Sequence, residues 1–84
     1  MSRKPDPVVP VADQLVAVLD LAAKTHGEEI RPVILEDLAA GRHGWYHDMV
    51  LCYIELDDIE QYGRLAAIRV ANQLHITLPK ECFA

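Results

Sequence analysis

The 84 residues carry 13 acidic and 8 basic side chains, a formal charge of −5, and 51% of them are hydrophobic. A chain of this length holds one core, and at this hydrophobic content it is expected to fold, because disorder needs low hydrophobicity combined with high net charge. The acidic balance works against non-specific nucleic-acid binding, which draws its affinity from Lys and Arg at phosphates, and 2 cysteines are too few for the disulfide framework of a small secreted domain.

Pro5 and Pro7 mark residues 1–9 as an extended arm, because proline removes a backbone donor and restrains its neighbour. Arg3 and Lys4 are followed by Pro5, Asp6 and Pro7 where an export signal would place an unbroken apolar segment, so none is predicted and the expected setting is cytoplasmic. From Pro10 the pattern changes. Val11, Leu15, Val18, Leu19 and Ala22 recur at spacings of three and four, while Asp13, Asp20 and Lys24 take the other side. The spacing predicts an amphipathic helix from Pro10 to His26, with Pro10 in its first turn and Gly27 as its C-terminal cap.

A second, shorter helix is predicted to open at Pro32, to carry Val33, Leu35, Leu38 and Ala39, and to stop at Gly41. Glu28 and Glu29 stand just ahead of it, where negative charge complements the helix dipole. Gly41-Arg42-His43-Gly44 then reads as a turn.

Trp45 to Leu56 admits two readings. Met49-Val50-Leu51-Cys52-Tyr53-Ile54 is the longest uninterrupted apolar run. It is far below the roughly 18 residues a membrane span needs, yet long enough for a buried strand. Trp45, Met49, Cys52, Leu56 and Ile59 fall at alternating spacings of four and three, which favours a helix. The last long helix is predicted over Asp58 to Leu74, with Asp57 and Glu60 at capping-box spacing. Ile59, Tyr62, Leu65, Ala66, Ile68, Val70 and Leu74 give it a broad apolar face, and Gly63 predicts that a neighbouring backbone comes close there. His75 to Leu78 reads as a short extended piece, and residues 79–84 as a tail.

The expectation is an all-α bundle of three to four helices over residues 10–78, with an α+β variant containing a strand at Met49–Ile54 as the alternative. Self-association is expected too, because the first and last long helices present more apolar surface than a short helix between them can cover.

The residues offer little chemistry. His43 and His47 have the spacing of a helical metal pair, with Asp48 next door, but no third ligand is set by the pattern. Cys52 and Cys82 lack a sequence-adjacent base, and Cys52 lies in the most apolar stretch, where a buried structural thiol is expected. A helix-turn-helix over Leu65–Ala84 would start its recognition helix at Pro79 with Lys80 as its basic group. No cofactor and no catalytic set is predicted.

What remains is a protein-binding adaptor, inhibitor or regulator, with a small dimeric DNA-binding regulator as the alternative and a metal or thiol enzyme behind it. The candidate partner-binding residues are the aromatic pair Trp45 and Tyr46 and the acids Glu55, Asp57, Asp58 and Glu60. A helix from Trp45 to Leu56 would be about 18 Å long and would set the two groups at opposite ends of one element. The partner expected is a protein with a basic surface.

Overall fold

A computed structural model of the chain describes residues 6–42, 50 and 52–83. It is an all-α structure: α1 spans Val8–His26, α2 Ile30–Ala40 and α3 Leu56–Gln73, and a short 3-10 turn follows at Lys80–Phe83. The described residues of Met49–Ile54 hold no strand; Val50 is helical and Cys52 and Tyr53 form a turn. The amides of Tyr53 and Ile54 both donate to the Val50 carbonyl, so this segment meets its backbone demand locally rather than in a sheet. No described helix is long and apolar enough to cross a membrane.

α1 starts two residues earlier than the apolar spacing alone suggests. The Asp6 carboxylate accepts from the Val8 amide at 2.9 Å, which satisfies one of the free donors at the helix start and draws Val8 and Val9 into the first turn. The inward stripe is the predicted one: Val11, Leu15, Val18, Leu19 and Ala22 are buried, with Val8 and Ala12 added. Each fully buried Leu or Val contributes about 1.5–3 kcal/mol of apolar transfer free energy.

Gly27 ends α1 at φ 93°, a backbone geometry that side chains rarely adopt, and its amide closes onto the Ala23 carbonyl. α2 then opens at Ile30 rather than Pro32. Counting from Pro32 omits Ile30, which shares a face with Ile34; those two and Leu35 are buried, while Val33 turns outward. α2 ends in a left-handed Gly41, with the Arg42 amide reaching back to the Asp37 carbonyl and the Gly41 amide to that of Leu38.

α3 ends in the same way without a glycine. His75 takes the left-handed position at φ 57°, its amide donates to Asn72, and the Ile76 amide donates to Ala71 at 2.8 Å. This reverse turn sends the chain back along the bundle, where Leu78 and Cys82 are buried. Residues 80–82 therefore pack onto the core through Cys82, although 79–84 reads as a tail in the sequence. Arg64 of α3 holds them there, donating to the Cys82 carbonyl at 2.8 Å.

α3 packs against both α1 and α2 and occupies the centre. Its buried face is small: Gly63, Ala66, Ala67 and Ala71 lie among Ile59 and Val70. Four of the large core side chains, Leu15, Leu19, Ile34 and Leu35, come from the two helices packed on it, and Ile54 comes from the connection before it. The close approach expected at Gly63 is local. Among the described residues, a Cβ built there would meet only the Ile59 side chain of the preceding turn, at 3.1 Å, and no neighbouring backbone.

Two ion-pair groups tie these elements together. Arg31 reaches Asp20 on α1 at 2.7 Å and Glu28 in the corner at 2.6 Å. Arg69 of α3 reaches Asp6 ahead of α1 at 2.7 Å. The hydrogen bond from Arg69, with that from the Val8 amide, holds the Asp6 carboxyl below its ordinary 3.8. The hydrogen bond from Arg31 does the same for Glu28, whose ordinary value is 4.5. Both folded values lie below the unfolded ones, so this stabilisation is fully present above the ordinary carboxylate range and is lost as pH falls through the folded values. The urea midpoint of the wild type is expected to fall between pH 6 and pH 3 by more than that of the Asp6→Asn, Glu28→Gln variant. Parallel pH profiles would show that neither pair contributes.

Candidate protein-binding site

The connection into α3 is pinned by two side chains. Val50 and Ile54 are both buried, whereas Cys52 and Tyr53 are exposed. This corrects the expectation of a buried Cys52. The buried thiol is Cys82. The stripe through Cys52 and Leu56 presumes one helix carried to Leu56. The chain instead turns at Cys52–Ile54 and restarts, which resets the helical phase.

The restart occurs at Glu55, not Asp57. Glu55 is extended at φ −58°, ψ 142°, its side chain makes no cap hydrogen bond, and its carbonyl accepts the first helical bond from Ile59. Asp57 and Asp58 therefore fall in the first turn of α3, where they complement the positive end of the helix dipole. Glu55, Asp57 and Glu60 are exposed and Asp58 is half-buried.

Beside these acids in the chain stand two large apolar side chains that the apolar pattern predicts to face inward. Tyr53 is 54% exposed and Leu56 48% exposed. Leu56 opens α3, and Glu60 follows one turn along the same strip. Trp45 and Tyr46, the aromatic half of the predicted site, lie outside the described residues, as do His43, His47 and Asp48. The arrangement of the predicted site as two ends of one helix does not hold, because α3 begins anew at Leu56.

Among the described residues no three of His, Cys, Asp and Glu come together as a metal set. The segment proposed as a recognition helix is a four-residue 3-10 turn with Cys82 buried in it. Four arginines bond within the chain: Arg31 to Asp20 and Glu28, Arg42 to Asp37, Arg64 to the Cys82 carbonyl and Arg69 to Asp6. None of these ion pairs involves the acids at the start of α3. The stretch offers an exposed aromatic ring and an exposed branched aliphatic side chain, Tyr53 and Leu56, with acids beside them in the chain. No family model matches the chain, and no curated protein or solved structure does either.

Proposed function

We propose that the chain acts by binding another protein, as an adaptor, inhibitor or regulator, through the surface running from Tyr53 to Glu60. The observation that carries this reading is the pairing of two exposed apolar side chains, Tyr53 and Leu56, with Glu55, Asp57, Asp58 and Glu60 around them in the chain. Exposed aromatics set in polar surroundings are the usual anchors of protein interfaces. The matching partner has an apolar pocket with a basic rim. Burial of Tyr53 and Leu56 would supply most of the affinity, and the acids would steer the approach. The inferred setting is cytoplasmic, supported by two cysteines that are both free thiols, the state a reducing compartment maintains.

The test compares the wild type with Tyr53→Ala, Leu56→Ala as affinity baits in lysate of the source cells, followed by titration of the recovered protein against each. Both residues are exposed, so the variant is expected to keep its helical circular dichroism. The expected result is a stoichiometric partner whose affinity falls at least 30-fold for the variant, about 2 kcal/mol. A partner that binds both equally, or no stoichiometric partner, would contradict the proposal.

A further inference from the structure

α3 carries a second stripe outside its buried face, with Ile68 still packed against the edge of the core. Gln61, Leu65, Ile68 and Asn72 fall at spacings of four, three and four, the period of a helix-pairing seam. The buried Ile59, Gly63, Ala66 and Val70 repeat the same spacings on the opposite side. Leu65 is 55% exposed and Ile68 half-buried. They line an open groove of about 560 Å³, together with Val8 and with Asp6, Arg69 and Asn72.

The order along the stripe, amide, aliphatic, aliphatic, amide, is the same read in either direction. Turned about a two-fold axis between Ala66 and Ala67, α3 of a second copy sets its Ile68 against Leu65 and its Asn72 against Gln61. Each carboxamide has both donors and an acceptor, so the two amides can satisfy one another. We infer that this stripe is the surface through which the chain pairs with a second copy of itself, α3 against α3 in antiparallel register.

Charge favours a copy over another occupant. Two chains of −5 repel, and least where the local charge is balanced. Here the two charged groove residues, Asp6 and Arg69, neutralise each other at 2.7 Å. The excess of acid lies one turn before Gln61, beyond the end of the seam. The amides at the ends of the seam fix the register, since a slipped pairing would bury an amide against an aliphatic side chain. The inference is independent of the partner-binding proposal, which uses other residues.

Sedimentation equilibrium of the full chain across tens to hundreds of micromolar tests it. The wild type is expected to show a monomer–dimer equilibrium, and Leu65→Glu to weaken it more than about 30-fold, because a carboxylate would be buried opposite an aliphatic side chain. The register is tested separately. Gln61→Glu combined with Asn72→Lys places each Glu against the partner's Lys, and is expected to pair about tenfold more tightly than either single variant. All these positions are exposed, and circular dichroism checks the fold. A wild type that stays monomeric would overturn the inference. So would a dimer indifferent to Leu65→Glu, or a double variant no tighter than the singles.

Discussion

Leu15→Ala is expected to cost about 3 kcal/mol. Leu15 is fully buried at the middle of the α1 stripe, among the large side chains that pack onto α3. Truncation removes the transfer free energy of the lost carbons and leaves a cavity that the neighbours fill only in part. A domain of this size has a total stability of about 4–12 kcal/mol, so the loss is a large fraction of it. The measurement is urea unfolding at fixed protein concentration, with an unchanged denaturant slope. Leu21→Ala on the outer side of α1, 41% exposed, is the control and is expected to lose less than about 1 kcal/mol. Equal losses at the two positions would show that the stripe does not define the core.

Ala66→Leu is expected to destabilise by about 1–3 kcal/mol for the opposite reason. Ala66 is fully buried in the small-residue face of α3, against which α1 and α2 both pack. An added isopropyl group has no room there without pushing a helix away or forcing a strained rotamer. A naive view of apolar burial predicts a gain from the larger side chain. The sign of the change in the urea midpoint therefore separates a closely approached α3 from a loosely filled one.

How much of this was legible depended on whether an element's signal is local. α1 and α3 carry long periodic stripes, and their existence and the all-α class follow from those stripes, although both helices begin two residues before the expected start. α2 was placed correctly but phased from Pro32, which hid Ile30 and Ile34. That the acids from Glu55 to Glu60 stay out of the core was legible, because charge rarely enters one. Tyr53 and Leu56 were not, because an apolar residue in an apolar run is assigned inward by default. Their exposure follows from the break at Cys52–Ile54, which the unbroken spacing from Trp45 to Leu56 conceals. The C-terminal turn was missed for a different reason. Four residues have no period, and they are held by Arg64, 18 positions upstream, so only the folded arrangement shows it.

The central claim is that apolar anchors and surrounding acids act together at the start of α3, and binding kinetics test it most directly. With the recovered partner immobilised, association and dissociation rates are measured over a range of salt for the wild type, Tyr53→Ala and the Asp57→Lys, Asp58→Lys variant. The account predicts that Tyr53→Ala mainly speeds dissociation, while the charge reversal slows association and flattens its dependence on salt. Wild-type rates for both variants, with their helical content intact, would contradict it.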